Sequence, residues 1–308
     1  MTTRYYYHPI HLEHLTPPGH PERPDRLKAV EKALGDSAFD LLDRVQSPLG
    51  DPATIAAVHP QHYVDRIEAG IPKTGMARID ADTSVSPKSW EAALTGVGAA
   101  NAAVDDVFAG RAKNVFVAAR PPGHHAEKVK AMGFCLFNYA AVAARHAQKK
   151  HGAERVAIVD WDVHHGNGTQ EIFWTDPSVL YCSTHQMPLF PGTGAKDETG
   201  VGNIVNAPLA ADTDGEVFRD AFESRILPAL DAFRPDLIII SAGFDAHHRD
   251  PLAEINLVED DFSWATGKLM DRADRFSSGR LVSLLEGGYD LQGLALSVAA
   301  HVRRLMRG

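Results

Sequence analysis

The sequence predicts an α/β fold in which a central, mostly parallel sheet is flanked by helices. Short apolar, β-branched runs recur along the chain, and stretches with helical periodicity lie between them. The strands are spread over all 308 residues, and no long Ser-, Gly- or Pro-rich linker interrupts them. We therefore expect one domain covering residues 1–308.

Five runs have the length and the β-branched, apolar composition of strands buried on both faces. These predicted strands cover residues 115–119, 155–160, 179–184, 236–242 and 281–286. Ala- and Leu-rich segments of helical period alternate with them and cover residues 90–108, 138–150, 216–233, 260–276 and 291–306. This alternation is typical of a doubly wound parallel sheet.

The composition excludes some partners. The chain carries 31 basic and 40 acidic side chains, a net charge of −9, so an extended phosphate backbone is not an expected ligand. No apolar run approaches the roughly 18 residues that span a bilayer, and the N-terminus lacks the apolar core of an export signal. Cys135 and Cys182 have no metal-motif spacing and are expected to be buried, reduced thiols. We expect a cytoplasmic protein without nucleic-acid or membrane partners.

Polar loops rich in His and Asp follow four of the predicted strands. Their sequences are RPPGHH, DWDVHHGNG, AGFDAHH and EGGYD. Parallel strands deliver their following loops to one edge of the sheet, which is where ligands bind in such folds. The sequence therefore predicts one site at the carboxyl ends of the strands.

Asp162, His164 and Asp245 are the predicted metal ligands. Alternate residues of an extended chain share a face, so Asp162 and His164 can contact one ion while Asp160 lies behind them. Asp245 would approach from another strand end. Two carboxylates and one imidazole leave a coordination position open, as a catalytic zinc requires, although iron, manganese and cobalt also accept these ligands.

The adjacent His124 and His125 predict general acid and base chemistry. A carboxylate partner such as Asp160 would keep one imidazole cationic, whereas an amide partner such as Asn167 would leave the other neutral. After Gly287 and Gly288, the Tyr289 phenol could donate a hydrogen bond to a developing oxyanion. No GxGxxG, P-loop or GxSxG motif follows a strand.

Seven segments together resemble the zinc-dependent histone deacetylase family, and they occur in that family's order over nearly the whole chain. They are HPERPDRL (20–27), RPPGHHA (120–126), MGFCLFN (132–138), VDWDVHHGNGTQ (159–170), FPGTG (190–194), SAGFDAH (241–247) and LEGGYD (285–290). These motif sequences are closer to the class II branch and its bacterial deacetylase-like and acetylpolyamine amidohydrolase relatives than to class I. The resemblance implies a single-domain arginase/deacetylase-like fold.

Carried over residue by residue, the resemblance implies Zn²⁺ at Asp162, His164 and Asp245. It implies His124 and His125 as the catalytic pair with His125 as the base, and Tyr289 as the oxyanion donor. Substrate-binding positions would be Asp82, Gly133, Phe134, Phe190 and Leu252. Family members also bind K⁺ through main-chain oxygens. The matching segments are Asp160, Asp162, His164, Ser183 and Thr184 for one ion, and Phe173, Asp176 and Val179 for a second.

The resemblance implies a deacetylase that acts on acetylated lysine side chains of a peptide or protein, or on a small acetylated amine. Asn167 replaces the Asp that class I enzymes carry, which predicts a less polarised base. Leu252 occupies the position where polyamine-specialised relatives tend to have an acidic residue, which favours acetyl-lysine over acetylpolyamine. The alternatives are an acetylpolyamine amidohydrolase, a two-manganese ureohydrolase of the arginase type and a non-catalytic acyl-amine binding protein.

Overall fold

The computed structural model describes residues 2–307, and these residues form one large sheet with helices on both faces. The strands are β1 (Thr3–Tyr7), β2 (Asp43–Gln46), β3 (Ala77–Arg78), β4 (Ser84–Val85), β5 (Asn114–Val117), β6 (Val156–Asp160), β7 (Val179–Gln186), β8 (Ile204–Leu209), β9 (Leu237–Ala242) and β10 (Leu281–Leu285). The helices are α1 (Asp25–Leu34), α2 (Pro52–Ile55), α3 (Gln61–Ala69), α4 (Ser89–Phe108), α5 (Tyr139–His151), α6 (Asn167–Phe173), α7 (Gly215–Ala221), α8 (Leu227–Phe233), α9 (Glu259–Phe276) and α10 (Leu291–Arg307).

The large sheet is parallel throughout, with the strand order β2-β1-β5-β10-β9-β6-β7-β8 in the described residues. The five strands predicted from the sequence are its five adjacent central strands, β5, β10, β9, β6 and β7. Every residue in these five strands is buried, which is why each reads as a continuous apolar run. The predicted α/β fold is confirmed.

The outer strands β1, β2 and β8 were not predicted from the sequence. The edge strand β2 has the polar sequence DRVQ, the opposite edge strand β8 contains Pro208, and β1 is a tyrosine-rich run. Edge strands are exposed on one side and tolerate polar residues and proline, so their composition resembles that of loops. A small antiparallel pair, β3 with β4, was also not predicted.

Successive strand residues point to opposite faces and fill two separate cores. Leu237 and Ile239 belong to the core beneath α4 and α5, whereas Ile238 and Ile240 belong to the core beneath α1, α9 and α10. The predicted thiols, Cys135 and Cys182, are free and buried. Among the described residues, no helix combines the length and apolarity that a bilayer-spanning segment needs.

The predicted continuous helix over residues 216–233 is wrong. The segment consists of α7, a π-helical turn at Phe222–Ile226 and α8. Pro228 lies at the start of α8 and cannot donate the main-chain hydrogen bond that a continuous helix requires there. A wider turn before the proline accommodates the missing donor.

A buried ion network attaches the N-terminal segment to the sheet edge where the site lies. The Glu22 carboxylate is fully buried and accepts hydrogen bonds from Nε and Nη2 of Arg120, the latter at 2.8 Å. Arg26 donates to the same carboxylate at 3.2 Å and to the main-chain oxygens of Glu286 and Gly288. The network therefore ties together the start of α1 and the loops after β5 and β10.

His11 and His14, to which the sequence reading gave no role, contribute to this attachment. His11 Nδ1 contacts the main-chain oxygen of Arg120 at 2.8 Å, and His14 Nδ1 contacts Ser89 Oγ at 2.7 Å. Burial lowers the pKa of His11 to about 3, so it is neutral at physiological pH. These histidines are structural.

Replacing Glu22 by Gln should destabilise the fold strongly. The two arginines would lose their buried counter-charge, which costs about 3–5 kcal/mol in the free energy of unfolding. Urea denaturation followed by circular dichroism would measure it. The control is Asp25→Asn, because the ion pairs of Asp25 with Arg23 and Lys28 are exposed and their loss should change stability little. Equal stabilities for the two variants would contradict the importance of the network.

Candidate metal and catalytic site

The loops after β5, β6, β7, β9 and β10 surround one cavity at the carboxyl edge of the sheet. Its volume is about 230 Å³. The cavity is lined by Asp82, His125, Gly133, Phe134, His164, Leu189, Phe190, Leu252 and Tyr289. Eight of these nine residues were singled out from the sequence, and Leu189 was missed because a lone Leu in a proline-rich loop carries no chemical signal.

Asp162, His164 and Asp245 meet at this site. His164 Nδ1 lies 3.1 Å from Asp162 Oδ1 and 3.1 Å from Asp245 Oδ2. All three residues are buried, and their ligand atoms lie within 4.8 Å of one another. The three residues predicted as metal ligands are thus brought together.

The local geometry that joins Asp162 to His164 differs from the extended chain that was expected. Strand β6 ends at Asp160, and the following residues form a bend. The Asp162 N–H donates to Asp160 Oδ1 at 3.1 Å, and the His164 N–H donates to Asp162 Oδ1 at 2.9 Å. Side-chain to main-chain hydrogen bonds in a turn, rather than strand alternation, align the two ligands.

Each carboxylate is also oriented by a main-chain N–H from a different loop. Asp162 Oδ2 accepts from Gly287 at 2.8 Å, and Asp245 Oδ1 accepts from Val163 at 2.9 Å. A Cβ on Gly287 would lie 2.2 Å from Asp245 Oδ2 and 2.5 Å from Asp162 Oδ2. The glycine thus allows the loop after β10 to approach the two carboxylates.

The donor set fits a divalent transition metal. Ligands bound at the usual zinc distances in a tetrahedron lie about 3.3 Å apart, close to the two 3.1 Å separations at His164. Burial and the adjacent Asp162 carboxylate raise the pKa of Asp245 to about 7, so positive charge is favoured here. Asp162, His164 and Asp245 would hold such an ion.

His124 pairs with the carboxylate predicted for it. His124 Nδ1 lies 3.0 Å from Asp160 Oδ2, which also accepts from the Tyr181 hydroxyl at 3.1 Å. Burial alone would lower the pKa of His124, but the surrounding carboxylates, led by Asp162, raise it well above its usual value. The carboxylates around His124 therefore favour its cationic form.

His125 has the opposite character. Burial and then the charges of His124 and His164 lower its pKa well below the usual value. Its Nδ1 lies 2.8 Å from Asn167 Oδ1. Because an amide oxygen can only accept, the Nδ1–H donates and Nε2 keeps a free lone pair.

Glu127 was not predicted and fixes the orientation of Asn167. The Asn167 Nδ2 donates to Glu127 Oε1 at 2.7 Å, which leaves Asn167 Oδ1 directed at His125. The three side chains form a hydrogen-bonded series, Glu127–Asn167–His125. The sequence signal was its place two residues after the His pair, in the same loop.

Glu286 and Asp250 were also missed as positioning residues. Glu286 Oε2 accepts from the main-chain N–H groups of Gly123 and His124 at 2.7 and 3.1 Å, and so orients the loop that carries both imidazoles. Asp250 Oδ2 accepts from the N–H of Tyr289 at 2.6 Å and of Asp290 at 3.1 Å. Their partners come from distant loops, so no local pattern marks them.

Tyr289 lines the cavity between Arg26 and Phe134. The Arg26 guanidinium lies 5.0 Å from the centre of its ring, and the Phe134 ring lies 6.0 Å away, edge to face. Burial raises the pKa of Tyr289 well above its usual value, with further contributions from Asp245 and Asp162. The phenol therefore keeps its proton and remains a donor.

The cavity walls include the predicted Gly133, Phe134 and Phe190. Gly133 has φ +56°, and a Cβ there would lie 2.3 Å from His125 Cδ2. The Phe190 ring lies 5.1 Å from that of His125, and Leu252 completes the wall. Asp82 also lines the cavity, with its Oδ1 accepting from Gly133 N at 3.0 Å.

The residues predicted for K⁺ form two groups. Asp160 pairs with Ser183 across β6 and β7, Thr184 follows Ser183, and hydrogen bonds link Asp160 to Asp162 and Asp162 to His164. The Thr184 hydroxyl is buried without a partner among the described residues. This cation site stays a prediction. In the second group, the main-chain oxygens of Phe173, Asp176 and Val179 all contact Nδ2 of Asn203.

Comparison with known proteins agrees with this geometry. A family model described as the histone deacetylase domain matches residues 20–305. The histone deacetylase-like amidohydrolase of Pseudomonas aeruginosa is 42% identical over 279 residues, covering 88% of this chain and 73% of that protein. A probable deacetylase of Archaeoglobus fulgidus is 38% identical over 303 residues, covering 95% and 83%.

A solved structure described as the crystal structure of the HDA15 HD domain superposes with a TM-score of 0.94. It is 38% identical and covers 99% of this chain and 88% of that one. The superposition agrees with the arginase/deacetylase-like fold expected from the motifs. Because the family model spans most of the chain and the relatives align over nearly all of it, the chain belongs to the histone deacetylase family.

Proposed function

We propose that this chain is a zinc-dependent deacetylase that hydrolyses the amide of acetylated lysine side chains to acetate and a free amine. One observation carries the proposal: the Asp162–His164–Asp245 cluster adjoins a narrow cavity that His125 and Tyr289 also line. Membership of a family of deacetylases and amidohydrolases supports this class of reaction. We also propose that residues 1–308 form one catalytic domain, because the eight-stranded sheet contains both the first strand, β1, and the last, β10.

Asp162, His164 and Asp245 would hold a divalent cation, which would supply a Lewis acid for the amide carbonyl and for water. Tyr289 donates its hydroxyl proton in a hydrogen bond to the carbonyl oxygen as negative charge develops there. The raised pKa of the phenol keeps this donor protonated over the working pH range.

The two imidazoles have different roles in the proposed reaction. His125 is neutral, and its Nε2 accepts a proton from the attacking water, while Nδ1–H remains bonded to Asn167. The leaving amine then receives a proton from His125. His124 stays cationic beside Asp160 and stabilises negative charge in the site.

The cavity suits an extended alkyl amide. Phe134 and Phe190 would contact the methylenes of a lysine side chain, with Gly133 beside them and Leu252 at the mouth. Asp82 is the one carboxylate among the cavity-lining residues outside the metal cluster, so a polycationic amine finds little charge complementarity there. We therefore favour acetyl-lysine over acetylpolyamine.

A two-ion ureohydrolase is disfavoured by the surroundings of Asp245. The nearby Asp250 carboxylate accepts main-chain hydrogen bonds from Leu252, Tyr289 and Asp290, so it is engaged in holding these loops. The other group of potential ligands in residues 2–307, Asp105 with His146 and His151, lies between α4 and α5.

A kinetic panel tests the proposed reaction. The purified chain should release acetate from an acetyl-lysine peptide with a higher kcat/KM than from N-acetylputrescine. N-acetylputrescine carries a free cationic amine, which finds little charge complementarity at the mouth of the cavity. Activity should disappear with a chelator and return with Zn²⁺. A preference for N-acetylputrescine would support the polyamine alternative. Turnover unaffected by chelation, or absent on every acyl amine, would contradict the proposal.

Replacing Tyr289 by Phe should lower kcat on the order of a hundred- to a thousandfold, because one oxyanion donor is lost. Zinc content, measured by elemental analysis, should not change. The matched control is Tyr7→Phe, since Tyr7 lines a separate pocket beside α1. Wild-type turnover in the Tyr289 variant would exclude the oxyanion role.

Replacing Glu127 by Gln should lower kcat about tenfold with little change in KM, because the base loses part of its polarisation. Without the carboxylate, the pKa of His125 should fall further, and the acidic limb of the kcat profile should move to lower pH. Glu171→Gln is the control, because Glu171 accepts a hydrogen bond from the Lys128 N–H, which the amide oxygen of Gln can also accept, and the Asn167 hydrogen bonds do not involve it. If both variants keep the wild-type profile, Glu127 does not act through Asn167.

A further inference from the structure

Three main-chain oxygens converge in the turn between α6 and β7. The oxygens of Phe173, Asp176 and Val179 each lie 2.9 Å from a single atom, Nδ2 of Asn203. Converging carbonyls of this kind can bind a monovalent cation by replacing its hydration shell. Here the point of convergence is occupied by a nitrogen of the chain itself.

The Asn203 side chain has a defined orientation. The residue is 4% exposed and immediately precedes β8. Its Oδ1 accepts from the Val201 N–H at 3.2 Å, and its own main-chain oxygen accepts from Tyr181 at 2.9 Å. With the oxygen engaged on one side, the NH₂ group is directed at the three carbonyls.

The turn that carries Asn203 leaves little room for another arrangement. The N–H groups of Gly202 and Ile204 both donate to Thr199 O, at 2.9 and 3.2 Å. Gly200 has φ +56°, and a Cβ there would lie 2.8 Å from Asn203 Oδ1. The turn therefore encloses the amide closely.

An amide nitrogen satisfies this cluster without a full charge. It carries two hydrogens, so it donates to two of the three carbonyls. The third carbonyl oxygen contacts the same NH₂ group, which carries a partial positive charge. The separations of 2.9 Å are ordinary for N–H···O hydrogen bonds. The oxygens thus have a donor without an ion.

The surroundings of the turn are already balanced in charge. Asp176 is bonded to Arg145 Nη2 at 2.6 Å, and its Oδ1 accepts from Ser178 Oγ at 2.6 Å. The Arg145 guanidinium also lies 4.8 Å from the centre of the Phe173 ring. No uncompensated carboxylate among these contacts calls for an additional cation.

We propose that the side-chain amide of Asn203 takes the place of a monovalent cation at this turn, so that Phe173, Asp176 and Val179 are held together without K⁺. This revises the expectation from the family resemblance for the second cation group alone. The group at Asp160, Ser183 and Thr184 is unaffected. The proposal concerns cation binding and is independent of the substrate.

Anomalous diffraction with Rb⁺ as the probe tests the proposal directly. Crystals of the wild-type chain in rubidium chloride should contain no anomalous peak in contact with these three oxygens. Crystals of Asn203→Ala should contain one there, because the carbonyls lose their donor and a cation-sized space opens. A Rb⁺ ion bound to the three oxygens in the wild type, with the amide displaced, would overturn the proposal.

Thermal denaturation gives a test that does not require crystals. Melting temperatures are compared in potassium chloride and in choline chloride of equal ionic strength, for wild type, Asn203→Ala and Asn203→Asp. The K⁺-specific rise should exceed the wild-type rise by about 2 °C or more in both variants, because each gains a cation site. Asp has the same shape as Asn, so the Asp variant provides the test if the Ala variant does not fold.

The matched control is Asn101→Ala. Asn101 is a buried amide on α4 whose Nδ2 contacts only Thr54 Oγ1, at 3.2 Å, and so its loss creates no carbonyl cluster. This variant should be less stable than the wild type in both salts, with the same K⁺-specific rise. If the Asn203 variants gain no more K⁺ dependence than Asn101→Ala, the proposal fails.

Discussion

The buried contact between Glu22 and the two arginines is the constraint on which the candidate site depends. Arg120 begins the loop that carries His124 and His125, and Arg26 holds the main-chain oxygens of the loop that carries Tyr289. A buried charge without its partner is costly, so the three residues must meet in the folded state. Their contact holds the loop of His124 and His125 beside the loop of Tyr289.

Electrostatics then assign different roles to residues of the same type. His124 and His125 are adjacent in sequence with ring centres 4.0 Å apart, yet the pKa of one is raised and that of the other is lowered. The difference follows from their partners, a carboxylate for His124 and an amide for His125. An amide can likewise stand where a charged group is expected, as the Asn203 contacts indicate.

Much of the fold was predictable because buried strands consist mostly of apolar residues. The five central strands are apolar on both faces, and all five were found in the sequence. The edge strands β2 and β8 were not, because edge positions accept polar residues and proline. Strand β1 pairs on both sides but was also missed, because its tyrosine-rich run is only partly buried. The break in the helix over residues 216–233 depends on how one proline is accommodated, which periodicity does not encode.

For the site, the sequence by itself identified the side chains that meet there: the proposed ligands Asp162, His164 and Asp245, the adjacent His124 and His125, and Tyr289 after two glycines. Their positions after successive parallel strands were enough to predict that they meet at one edge of the sheet. Only the tertiary structure decided what orients them. Glu127, Asp250 and Glu286 act through hydrogen bonds to residues distant in sequence or to main-chain groups, and such contacts exist only once the loops are packed together.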